Sequence, residues 1–219
     1  MILNRLKQRT LLHSERLEKR LDLFHSVQTF EDYRFLLGKF LGFYEPVEAA
    51  LEATFDWSVI NFDFHPRKKT PLLVRDLHSM GVAETGLLPR CGKVPMLETL
   101  PKAFGCLYVF ESATLGRAIV MRHLSRTLGI TPEDGGAFFN SYGECIMAMW
   151  REFGRQLSAY ALKPGFEEAV IRAAIDTLVC LDQWMAGRPL MIEPVGQAEN
   201  QVSEKHTTRI QGQNILRLL

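Results

Sequence analysis

The strongest constraint on this chain is a pattern its apolar residues avoid: nowhere do they alternate with polar ones for long enough to build a central strand. They recur instead at helical spacing. Leu3, Leu6, Leu17 and Leu21, with Thr10 between them, share one stripe of a helix expected over residues 2 to 23. A second long helix, rich in Phe and Leu, is expected over 30 to 55, bent or briefly interrupted at Pro46, whose ring removes a backbone donor. Thr70 and Pro71 have the chemistry of a cap and a first helical residue, opening a helix that stops near Gly81. Gly86, Pro89, Gly92 and Pro95 mark residues 82 to 98 as loop. Leu100 to Leu128 then reads as one long apolar helix closed by Gly129. The next helix starts at Thr131 or after Gly135 and Gly136 and runs to about Leu162; Pro164 opens a last one that ends at Gly187. The expectation is an all-α single domain over residues 1–187. The polar stretch 188–219, ending in "ILRLL", is expected to be a flexible extension with at most one short docked turn.

Composition narrows the classes of partner. At 219 residues and 47% hydrophobic, the chain can bury one sizeable core. Lys and Arg total 26 against 25 Asp and Glu, so no basic excess invites nucleic acid. No apolar run approaches the roughly 18 residues needed to span a bilayer, and residues 1 to 20 are charged throughout, so neither a membrane span nor a signal peptide is expected. Cys91, Cys106, Cys145 and Cys180 lie far apart without a CxxC pair, and three of them sit in apolar helical stretches. Reduced, buried thiols in the cytoplasm are the expectation.

Two helices carry the candidate chemistry. The first, within "LKQRTLLHSERLEKRLDLF", holds one histidine, His13, followed by Ser14. The second is "FGCLYVFESATLGRAIVMRHLSRTLG", in which Gly105, Ser112, Gly116 and His123 fall within about 40° of one another at 3.6 residues per turn. Small residues on one face leave a groove over the backbone. A glycine inside a helix costs roughly 1 kcal/mol against alanine, so Gly116 implies either a close helix crossing or a flat ligand against the bare backbone.

The segments "LKQRTLLHSERLE", "YVFESATLGRA", "FFNSYGECIMAMWREF" and "AIDTLVCLDQWM", in this order and at compatible distances, resemble the bacterial heme oxygenases, in particular the type encoded beside bacterial phytochromes. The resemblance covers residues 3 to about 186. It implies a heme-oxygenase-like helical bundle in which the first helix gives a histidine to the heme iron and the glycine-bearing helix covers the opposite face, leaving room for dioxygen. Heme would be both substrate and cofactor, opened at a meso carbon to biliverdin with release of carbon monoxide and iron. An electron donor such as a ferredoxin or a flavoprotein reductase would be needed, and a bacterial phytochrome could receive the biliverdin.

The residues depart from that pattern at two points. In the family a Thr precedes the iron-binding His by four positions and a Glu follows it by four; counted from Thr10 and back from Glu18, both lead to Ser14, while His13 sits one residue early. On the second helix the family's first glycine corresponds to Ser112, its second is kept as Gly116, and the small residue after it is Arg117. Periodicity is neutral between His13 and Ser14, which flank the apolar stripe by about 50° each. The ligand's usual supporting carboxylate is not: Glu18 is four residues beyond Ser14, whereas Leu17 is four beyond His13.

Two readings follow. In one, His13 ligates iron after local adjustment and Ser112 with Gly116 lines the dioxygen side; in the other, ligation is lost and the protein binds a tetrapyrrole, another ligand or a partner without turnover. Under the resemblance Lys7 matches a position that pairs with a heme propionate, with Arg117, Arg151 and Arg155 as further cations suited to carboxylates. His123 is a reserve ligand on the Gly116 face. "HPRKKT", residues 65 to 70, reads as a solvated basic loop able to dock an acidic electron donor. Glu111 and Glu144 stand in apolar helices with no carboxylate partner in sequence, and Phe138, Phe139, Tyr142, Trp150 and Phe153 have core spacing.

Overall fold

The computed structural model describes residues 1–187, and the extension expected over 188–219 lies outside the described residues. Nine α-helices and short 3-10 turns account for the regular structure among the described residues. The helix α1 spans Ile2–Leu21 and stops where Asp22 turns into the left-handed region, at φ 36°. A four-residue α2, Leu23–Ser26, follows. The helix α3, Phe30–Thr54, starts at a capping box in which Thr29 and Asp32 satisfy each other's backbone N–H, and it runs without interruption through Pro46. After two 3-10 turns comes α4, Thr70–Ser79. Its first turn is capped from another helix: the Glu48 carboxylate on α3 accepts the backbone N–H groups of Lys69 and Thr70 at 2.6 and 3.1 Å. Residues 82–98 form the expected loop, with one 3-10 turn at Thr85–Leu87.

The long helix expected over Leu100 to Leu128 is two helices, α5 (Leu100–Leu115) and α6 (Arg117–Leu128), bent by 49° about Gly116. Glycine weakens the helix at this point, and the side chain that follows it turns inward: Arg117 donates to the Phe138 carbonyl at 2.9 Å and to the Tyr44 hydroxyl at 3.1 Å. The helix expected from Thr131 or Gly136 to Leu162 is also divided. It comprises a turn over 131–135, α7 (Ala137–Asn140), a break at Ser141 with φ 51°, and α8 (Ile146–Tyr160). The start of α7 is imposed by Asp76, 61 residues earlier, whose buried carboxylate accepts the N–H groups of Ala137 and Phe138 at 2.9 and 2.7 Å. The last helix, α9, covers Phe166–Met185.

The helix α5 runs through the core, packed against α9 on one side and α8 on another, while α1 lies along α9. Gly105 makes the α5–α9 crossing: a Cβ there would stand 2.4 Å from the Val170 carbonyl oxygen. Phe104, fully buried, touches Trp57, Phe62, Phe153 and Phe166 and anchors the far end of the core. No single described helix is long and apolar enough to cross a membrane; α5 and α6 meet that test only together, across their bend. Of the cysteines expected to be buried, Cys91 and Cys106 are, Cys180 is half-buried, and Cys145 is exposed because it lies in the 3-10 turn before α8.

Candidate functional site

A cleft of about 470 Å³, within the range of small-molecule sites, opens between α1 and the α5–α6 bend. One wall is the C-terminal half of α1, where Ser14, Leu17, Glu18 and Leu21 recur at helical spacing; Asp22, Leu23 and Phe24 extend it along the rim. The opposite wall is Tyr108, Val109, Ser112 and Ala113 of α5, then Gly116, Arg117 and Val120 at and beyond the bend. Phe40, Tyr44, Phe138 and Phe139 close the inner end, and Leu178 and Leu181 of α9 the floor.

Four of the residues singled out in the sequence meet here: Ser14, Ser112, Gly116 and Arg117 line the cleft. Lys7, Thr10, His13 and Arg151 are not among the lining residues. His13 stands partly exposed beside Leu12, which is 77% exposed. Thr10 is buried behind the wall, its hydroxyl donating to the Leu6 carbonyl at 2.8 Å and paired with Tyr108, so it docks α1 onto α5. Arg151 is exposed on α8 and donates to the carbonyl of Met147 in its own helix. Ser112 donates to the Val109 carbonyl at 3.3 Å. His123, grouped with Gly116 on a straight helix, is carried away by the bend and packs edge-on against Phe24 at 5.0 Å.

The site's charges are sorted by the same geometry. Arg16 and Arg20 of α1 both pair with Asp182 of α9, tying the wall to the floor. Lys19, exposed at the rim, makes no ion pair among the described residues and is the lining cation available to a ligand carboxylate. Arg117 is committed: besides its two hydrogen bonds, it lies 4.0 Å over the Phe138 ring. Small residues and aromatic walls suit a flat macrocycle, but the lining residues include no His, Cys or Met. The lining phenols are poor substitutes. Burial pushes Tyr44 up to about 12 and raises Tyr108 as well, and both hydroxyls are hydrogen-bonded to protein. The cleft is therefore lined by small and aromatic residues, and no histidine of α1 is among its lining residues.

Behind Tyr44 and Arg117 lies a buried polar cluster that the sequence reading missed. "HPRKKT" is not a solvated basic loop, for Arg67 and Lys69 are buried at 2% and 0% exposure. The Arg67 guanidinium donates to the Glu111 carboxylate at 2.8 Å, and the Tyr142 hydroxyl donates to the other Glu111 oxygen at 2.6 Å. The Lys69 ammonium sits 3.6 Å over the Tyr142 ring with no hydrogen-bond partner among the described residues. Burial brings it down to about 7, against the pull of Glu111 and Glu48, and Arg117 pushes the same way as burial. Burial likewise raises Glu48. The basic run and Glu111 in its apolar helix were visible in sequence, whereas Glu48 was not singled out and Glu144 is exposed outside the cluster; what joined the members was the tertiary fold.

A model of the heme oxygenase family matches residues 2–186. Among solved structures, the chain is similar to the nitric oxide- and carbon monoxide-bound heme oxygenase of Neisseria meningitidis, with a TM-score of 0.64 and 23% identity over 84% of this chain and 92% of that one. No curated protein is matched by sequence comparison. The match to the family spans almost all the described residues, and the chain belongs to the heme oxygenase family, whose members bind heme as substrate.

Proposed function

We propose that the cleft between α1 and the Gly116 bend binds a heme-type tetrapyrrole, and that α1 meets its centre with Ser14 rather than with a histidine. The observation that carries this reading is the orientation of α1: Ser14 lines the cleft and His13, about 100° away around the helix, does not. A regular helix held by Leu6, Leu17 and the Asp182 pairs has no bulge that would exchange the two. Lys19 is the proposed partner of a ring carboxylate at the rim, in place of Lys7, Arg117 or Arg151. Oxidative opening of heme to biliverdin, carbon monoxide and iron, with electrons from a ferredoxin or flavoprotein reductase and with a phytochrome as recipient, is the second reading. Family membership and the small-residue face at Ser112 and Gly116 favour it.

Hemin titration followed by absorption spectroscopy tests which residue of α1 meets the ring. Wild type and His13→Ala are expected to bind alike, and Ser14→His to gain a histidine-ligated Soret band with at least about tenfold tighter binding. Loss of the band in His13→Ala would overturn the proposal in favour of ligation by His13. Biliverdin formation with a reductant and dioxygen then measures turnover on each variant.

A further inference from the structure

On the side of α9 away from the α1 wall, the loop 82–98 brings one cysteine against another. Cys91, 8% exposed, and Cys180, partly open to solvent on α9, both donate to the same carbonyl oxygen, that of Lys93, at 3.2 and 2.7 Å. The pair is held from three sides. The Cys91 backbone N–H donates to the Gly42 carbonyl of α3 at 2.8 Å, and Gly42 has no room for a side chain, since a Cβ would stand 2.5 Å from both the Pro89 oxygen and the Trp184 ring. Lys39, buried on α3, donates to the Trp184 carbonyl at 2.6 Å, lies 4.3 Å from that ring's centre, and interacts electrostatically with Cys91. A cation that interacts with one sulfur, a second sulfur on the same carbonyl and a partly open approach at Cys180 are the parts of a reactive dithiol.

We propose that Cys91 and Cys180 form a redox-active dithiol that a small peroxide oxidises to an intramolecular disulfide. The Cys91 sulfur, once it has given up its proton, attacks one peroxide oxygen; the O–O bond breaks, and the leaving hydroxide takes that proton to become water. Cys91 is then a sulfenic acid. The Cys180 sulfur attacks it, the S–O bond breaks, and a second water leaves with the proton Cys180 gives up. Two thiols lose two electrons and two protons in all, and hydrogen peroxide becomes two waters. The closing movement to the bonded distance of about 2.05 Å is short because both sulfurs already lie on one carbonyl oxygen. The bridge ties the loop to α9 between Leu178 and Leu181, the two residues α9 contributes to the cleft.

The test uses the full chain carrying Cys145→Ser, which removes the exposed thiol. After treatment with hydrogen peroxide, non-reducing digestion and mass spectrometry are expected to find a Cys91–Cys180 peptide pair at least tenfold above any pair containing Cys106, reversed by a thiol reductant. Cys180→Ser is expected to leave a Cys91 sulfenic acid trapped by dimedone, and Cys91→Ser to leave no comparable adduct at Cys180. Oxidation of either cysteine to sulfinic or sulfonic acid without the bridge would overturn the proposal, as would stronger dimedone labelling at Cys180 than at Cys91. The first measurement needs neither cysteine mutated, so it holds even where a serine variant folds poorly.

Discussion

The two walls of the cleft are built on different principles. The α1 wall is one regular helix, largely exposed on its outer side, and its place in the 3.6-residue period puts Ser14, Leu17, Glu18 and Leu21 on the cleft, with Glu15 and Lys19 at one edge, and leaves His13 outside the lining. The α5–α6 wall is broken at Gly116, and its shape is set by partners behind it: Arg117 on Phe138 and Tyr44, then Glu111, Arg67, Tyr142 and Lys69. A one-residue displacement is fatal to a contact on the first kind of wall, because nothing local absorbs a turn of about 100°. The second kind can change a residue and keep its shape as long as the buried partners stay paired.

That contrast is open to direct attack. The largest effect is expected behind the broken wall. Glu111→Ala leaves the Arg67 guanidinium buried without its carboxylate and should cost about 3–5 kcal/mol in urea unfolding; a cost below about 1 kcal/mol would show that the cluster does not hold the wall. Arg117→Met strands the Phe138 carbonyl and the Tyr44 hydroxyl, and about 1–3 kcal/mol is expected, with hemin binding weakened as the bend relaxes. Lys69→Met tests the sign of the buried charge. The folded value of about 7 lies below the ordinary lysine value of 10.5, so between these two the unfolded chain holds a proton that the folded protein has released. Stability from this group therefore rises with pH across that window, by up to about 1.4 kcal/mol per pH unit, and the cost of the buried charge is fully present below pH 7. Urea unfolding at pH 6 to 9 should show the variant gaining most over wild type at pH 6 and its advantage shrinking toward pH 9. On the regular wall His13→Ala should stay within about 0.5 kcal/mol of wild type in thermal unfolding.

The same contrast governs what could be read from the sequence. Helices α1, α3, α4 and α9 were legible because each carries its own stripe and a start or stop signal nearby, such as Thr29 with Asp32 at the start of α3 or the glycine after α4. The bend after Leu115 was not, although Gly116 stood out, because a glycine marks where a helix can break and only Arg117's distant partners make it do so. The segment from 131 to 162 failed for the same reason: its cap is Asp76, a residue in another helix. Within the site, the spacing of Thr10 and Glu18 drew attention to Ser14, and Ser14 lines the cleft. The buried cluster escaped because charge alone does not distinguish a lysine in solvent from one 3.6 Å above a tyrosine ring.

The short helix α2 bears on how fast anything could enter. It joins α1 through the left-handed Asp22, and none of its four residues is fully buried, although Leu23 and Phe24 form part of the rim. Swinging it outward gives up little core, so for a ring bound as proposed the expected control on residence time is the local opening of residues 22–26 and not the global stability of the bundle. Amide exchange in this segment should accordingly be orders of magnitude faster than in α5, and should slow when the cleft is filled.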